Sequence, residues 1–121
     1  MSSFSSDLPR GIVAAIKGGL TELWLHEDQK SGWVTGRKIL DHLTTTGLLA
    51  GCADLSELEA IQAKGFNFFR KHFQDKAIFG WRGEQDDNVP FLACFDGRVL
   101  LIWRNLAELL GSENPTLLRK K

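Results

Sequence analysis

The sequence predicts an α+β domain in which three helices precede a short antiparallel β-ribbon and a short C-terminal helix. Two observations carry that expectation. Apolar residues recur at three- and four-residue intervals through the first half of the chain. A dense run of strand formers then extends from Lys76 to Trp103, interrupted by Asp96-Gly97.

The first helix is expected from about Leu8 to His26. Asp7 suits its N-cap and Pro9 its first turn, and Ile12, Val13, Ile16, Leu20, Leu23 and Trp24 recur at helical spacing. Gly18-Gly19 falls inside this span, where each glycine costs ~1 kcal/mol relative to alanine, and reads as a kink packed closely on a neighbour. Residues Glu27 to Gly32 read as a polar loop and Trp33-Val34 as a very short strand. Thr35 is placed to cap a second helix that turns Ile39, Leu40 and Leu43 inward and ends at Thr44-Thr45-Thr46-Gly47. Asp54 and the capping box Ser56-x-x-Glu59 open a third helix. It carries Leu55, Leu58, Ile61, Phe69 and Phe73 on one face as far as Gln74 or Asp75.

The ribbon follows, with segments Ala77 to Arg82, Val89 to Phe95 and Arg98 to Trp103. Asp96-Gly97 is the strongest turn signal, because a type I′ turn needs positive φ at both central residues. A two-residue loop there pairs Phe95 with Arg98, Ala93 with Leu100 and Phe91 with Ile102. The opposite face collects Cys94, Val99, Leu92, Leu101 and Trp103. Both faces are apolar, so both are expected to be covered, by helices of this chain or by a second copy in a homodimer. Trp103, Leu101, Leu92 and Phe79 are expected to be buried. Pro90, which has no N–H to give, suits an edge or a strand start. Asn105 then caps a short helix Leu106 to Leu110 closed by Gly111, Ser112 to Pro115 turns, and residues 116–121 read as a basic tail in water. One domain covers 1–121, with 1–6 and 116–121 as flexible tails.

Length and composition set bounds. At 121 residues the chain buries a core without disulfides or metal. No apolar run approaches the ~20 residues of a membrane span. Met1-Ser2-Ser3-Phe4-Ser5-Ser6 lacks a basic start and an apolar core, so it does not read as a signal peptide. Cys52 and Cys94 fit no metal-ligand spacing and read as reduced thiols of a cytoplasmic protein, with Cys94 in the core. Lysine plus arginine equals aspartate plus glutamate at 15 each. A protein that coats nucleic acid is basic overall, so any such role must rest on a local patch.

No reaction motif appears. His26, His42 and His72 are scattered and read as surface residues, and there is no Gly-x-Ser-x-Gly, Cys-x-x-Cys, P-loop or His-Glu-x-x-His. The chain therefore reads as non-enzymatic, with no cofactor and no metal. The notable cluster is on the third helix and beyond it: Lys64, Asn67, Arg70, Lys71, Gln74, Lys76 and Arg82. Lysine and arginine hold phosphates or guanine edges, while asparagine and glutamine pair with adenine.

A basic helix followed by a β-ribbon resembles the winged-helix arrangement, and that resemblance implies a DNA-binding or regulatory module reading with this helix. The expected wing tip is acidic, however, at Glu84, Asp86 and Asp87. The alternative is a protein-interaction module, such as an inhibitor, immunity or adaptor protein, that grips a partner through this loop and an exposed aromatic. Phe68 is the candidate, since it lies about 100° around the helix from Phe69.

Overall fold

A computed structural model describes residues 11–120. The element order is α1 Ile12–Lys17, β1 Thr21–Trp24, α2 Glu27–Ser31, β2 Val34–Thr35, α3 Gly36–Thr46, α4 Leu55–Ala63, α5 Gly65–Phe73, β3 Ile78–Phe79, β4 Asn88–Phe95, β5 Arg98–Asn105, β6 Leu109–Leu110 and β7 Thr116–Arg119. Single 3₁₀ turns lie at Leu48–Gly51 and Trp81–Gly83. A five-stranded mixed sheet has the order β1-β7-β3-β4-β5, and β2 pairs with β6 in a separate two-stranded sheet. Five helices around a five-stranded sheet overturn the winged-helix expectation.

The ends of the chain account for most of the difference. Gly18-Gly19 is a terminator rather than a kink. The N–H of Gly18 closes on Ala14, Leu20 N–H returns to the Ala15 carbonyl, and Gly19 takes φ +74°, where any side chain would be strained. The chain then reverses into β1. Asp7 and Pro9, the proposed start of that helix, lie outside the described residues, as does the stretch 1–6. The supposed basic tail is an interior strand: β7 pairs antiparallel with β1 and parallel with β3, and Leu117 and Leu118 are buried. The expected last helix is likewise absent. Asn105 Oδ1 accepts from Ala107 N–H in a tight turn, and Leu109–Leu110 pairs with Val34–Thr35.

Glu27 to Gly32 is a helix with its own cap, not a loop. Nδ1 of His26 accepts from Asp28 N–H at 3.0 Å, and Gln29 Oε1 accepts from His26 N–H at 2.9 Å. The long third helix breaks in two, because Gly65 adopts φ +88° between α4 and α5. Its start is where Asp54 places it, but the reciprocal box closes through Glu57, two residues before the Glu59 expected. Thr35 caps α3 and Gly47 ends it in the left-handed conformation, as the sequence signals require.

The sheet is the middle of three layers. Ile12, Ile16, Leu58, Ile61, Phe69 and Phe73 from α1, α4 and α5 pack on the face bearing Ile78, Leu92, Val99 and Leu117. On the other face Val34, Ile39, Leu43 and Leu110 close over Phe79, Val89, Phe91 and Leu118, with Trp81 and Leu106 among them. Pro90 marks where β3 leaves the sheet. Gly80 N–H donates to its carbonyl at 3.0 Å, and proline offers no N–H in return.

The hairpin register is as read, from Phe95 opposite Arg98 to Phe91 opposite Ile102, and Asp96 and Gly97 have φ of 55° and 76°. Leu92 and Phe79 are fully buried. Within one chain β5 is only partly covered, for Leu101 is half-buried and Trp103 is exposed, so burial of these two residues by the chain's own helices is not found. Cys52 is buried and burial pushes its thiol up to about 12, so it is chemically quiet. Cys94 is half-buried at the margin of the core instead of inside it. No described helix is long and apolar enough to cross a membrane.

Candidate functional site

The outermost strand β5 has a neighbour only in β4 among the described residues. Its turn makes Phe95 and Arg98 a hydrogen-bonded pair, and the pattern then alternates. Arg98, Leu100, Ile102 and Arg104 turn their backbone groups toward β4. Val99, Leu101, Trp103 and Asn105 turn theirs toward the open edge. Two of the outward carbonyls are already occupied. Gln62 Nε2 donates to Val99 O at 3.0 Å, and Glu108 N–H donates to Asn105 O at 3.1 Å. Leu101 and Trp103 lie between these two stops.

Exposed apolar side chains lie in this window and at the hairpin tip. Trp103 is 40% exposed on one face of the sheet and Ile102 39% on the other, and Phe95, opposite Arg98 at the hairpin tip, is 70% exposed. Trp103 also borders a small hollow shared with Gln85, Asp86 and Asn88. Unpaired backbone donors and acceptors flanked by apolar side chains recognise extended polypeptide. Backbone bonds supply affinity and alternate side chains supply specificity.

The residues singled out by sequence separate into two groups. Lys64, Asn67, Arg70, Lys71 and Gln74 are all exposed and share the outward side of α5, opposite Phe69 and Phe73. Arg70 lies over Phe66 and Lys64 over Phe68, each at 5.9 Å. Lys76 and Arg82 do not join them. Lys76 pairs with Glu113 at 3.7 Å, and Arg82 bonds Asp54 at 3.0 Å beside the start of α4. Phe68 is half-buried against the core with His72 4.5 Å away, so it is not the free aromatic. In the acidic loop, Asp87 is bound by Arg37 at 2.8 Å and Glu84 accepts from Asp87 N–H, which leaves Asp86 facing outward. Sequence reasoning missed Phe95, Ile102 and Trp103. Their signal was present in two apolar ribbon faces and was absorbed into the core.

The histidines are not three isolated surface groups. His26 is buried, and its ring lies 5.0 Å from that of His42, which stacks on Trp24 at 5.7 Å. Among the described residues no group of three or more His, Cys, Asp or Glu is placed to hold a metal ion. A hollow of about 510 Å³ bounded by Glu22, Gly47, Leu48, Ala50, Gly51, Leu118, Arg119 and Lys120 holds no histidine or cysteine.

His72 and Asp54 contribute to an acid limit of the fold, as does exposed Asp28, which its hydrogen bond with Lys38 holds below its ordinary 3.8. Burial, then the charges of Lys71 and Lys17, hold His72 below its ordinary 6.5. Burial raises the Asp54 carboxyl, but hydrogen bonds from Glu57 N–H and Ser56, with the Arg82 charge, outweigh it and leave it below 3.8. All three folded values are depressed, so all three groups contribute stability that is present above their ordinary values and lost as pH falls through the folded ones. Denaturant titrations should show stability starting to fall below pH 6.5, the ordinary His72 value, with a second decline below 3.8 for Asp54 and Asp28. His72→Gln is expected to remove the first decline; an unchanged profile would refute the assignment.

No protein-family model matches the chain, and no curated protein or solved structure does either.

Proposed function

We propose that this chain is a non-enzymatic protein-interaction module that docks an extended segment of polypeptide along β5. The observation that carries this reading is the open Leu101–Trp103 window, in which Ile102 and Trp103 are exposed. The neutral net charge favours it over a nucleic-acid role, since no large positive field is available. Two free thiols, one of them fully buried, suit a reducing compartment such as the cytoplasm.

A second reading rests on the outer side of α5, where Lys64, Asn67, Arg70, Lys71 and Gln74 present no acidic neighbour on the helix. Three charges on one helix are a small phosphate footprint, each worth about one unit of salt slope. Two measurements separate the readings. At low salt the protein is expected to leave duplex and single-stranded DNA unshifted. A shift abolished by Arg70→Ala with Lys71→Ala would transfer the function to α5. A photo-reactive benzophenone side chain in place of Trp103 is expected to crosslink polypeptide, whereas the same group in place of exposed Glu59 is not. Equal labelling at both positions would remove the β5 reading.

A further inference from the structure

Resting on the reading of β5 as a docking strand, we infer that the segment it takes is β5 of a second copy of this chain, paired antiparallel about a twofold axis at Ile102. The two stops on the open edge determine the register. Gln62 occupies the carbonyl of Val99 and Glu108 N–H occupies that of Asn105. Both stops stand three residues from Ile102, so the free window is symmetric about that residue.

A twofold antiparallel pair needs a self-complementary stretch, in which residue i meets j and j meets i. Centred on Ile102, Leu101 of each copy pairs with Trp103 of the other. These are the outward-facing residues, so each pair exchanges two backbone hydrogen bonds without disturbing Gln62 or Glu108. Register shifts of one residue flip the outward groups and lose the bonds. Ile102 meets Ile102 of the second copy on one face, and the two Trp103–Leu101 pairs lie on the other. Directly opposed apolar pairs of this kind stabilise a sheet.

Charge complementarity points to the same partner. At the tip of the β4–β5 hairpin Arg98 is exposed, next to the exposed turn residue Asp96. At its other end lies the acidic loop, whose Asp87 carbonyl holds Leu106 N–H at 2.9 Å. In the proposed register Arg98 of one copy falls level with Leu106 of the other, beside Glu84, Asp86 and Asp87. The antiparallel arrangement thus brings the Arg98 side chain of each copy toward the acidic loop of the other. A parallel pair would oppose like with like.

The test is sedimentation of the purified protein over a concentration series, with crosslinking through benzophenone in place of Trp103. Wild type is expected to reach a dimer, and the chain with benzophenone at position 103 to crosslink to a second copy of itself. Ile102→Glu sets two carboxylates face to face at the axis and is expected to remain monomeric at every concentration where wild type is dimeric. Because that variant alters a strand, a charge pair serves as a check on the folded surface. Asp86→Arg alone should weaken the dimer, and adding Arg98→Glu should restore it. A monomer at all concentrations, or a dimer indifferent to Ile102→Glu and to the charge swap, overturns the second-copy assignment. A monomer whose position 103 captures a different polypeptide, lost with Ile102→Glu, would overturn it too while leaving the β5 docking reading intact. A monomer with no site-specific crosslink would remove both.

Discussion

Trp81→Ala is expected to be the most damaging single substitution, at about 3–5 kcal/mol, the cost of truncating a buried aromatic. Trp81 is 1% exposed and stacks near-parallel on Phe79, whose ring in turn stacks on Phe91. The indole fills space that the fold clears for it. A Cβ on Gly36 would stand 3.2 Å from the Leu106 Cα and 3.3 Å from the indole ring. Helix α3 therefore begins with glycine despite that residue's poor helix propensity. The indole N–H is buried without a partner, so the nitrogen itself adds nothing to stability. That separates shape from polarity. Trp81→Phe keeps most of the stacking, loses the unpaired donor, and is expected to cost less than about 1.5 kcal/mol. Urea denaturation would measure both. A Trp81→Ala cost below that of Trp81→Phe would refute the packing account.

Gln29→Leu is expected to cost roughly 2–4 kcal/mol although it preserves volume and adds apolar surface. The Gln29 amide is buried and fully used. Nε2 donates to the carbonyls of Gly111 and Asn114, each at 3.0 Å, and Oε1 accepts from His26 N–H. Leucine would leave two carbonyls and one N–H without partners in a site closed to water. The loop held in this way leads directly into β7. Gln29→Glu distinguishes hydrogen bonding from packing, since it opposes a carboxylate to two carbonyl oxygens and is expected to destabilise at least as much. Thermal or urea unfolding with Gln29→Glu milder than Gln29→Leu would show that packing dominates instead.

Features whose cause is local were legible in the sequence. The Asp96-Gly97 turn fixes the β4–β5 register because it alone sets which residues oppose. Thr35, Gly47 and Asp54 bound their helices because caps act within one turn. What failed depends on partners remote in sequence. Leu23 and Trp24 match a helical stripe as well as a strand, and only their pairing with Leu117 and Thr116 decides between them. Residues 116–119 resemble a tail for the same reason. The apolar ribbon faces raised a different difficulty. Hydrophobicity states that a side chain seeks cover, not that its own chain supplies it. Thus Leu92 in β4 is buried while Trp103 in β5 is exposed. The α5 face was legible as basic, but spacing could not foresee that Lys76 and Arg82 find carboxylates elsewhere.

The placement of β7 between β1 and β3 bears on how the molecule is made. Among the described residues strand β1 meets no strand but β7, about 100 residues later, and β3 reaches β1 only through it. During synthesis the ribbon and its flanking helices emerge as a segment able to collapse early, while β1 stays unmatched until residue 119 has cleared the ribosome. Completion of the sheet is then a single late closure over a long loop, the kind of step that slows folding and prolongs exposure of strand edges to other nascent chains. In this fold, a ribosome that stalls before β7 leaves both β1 and β3 open.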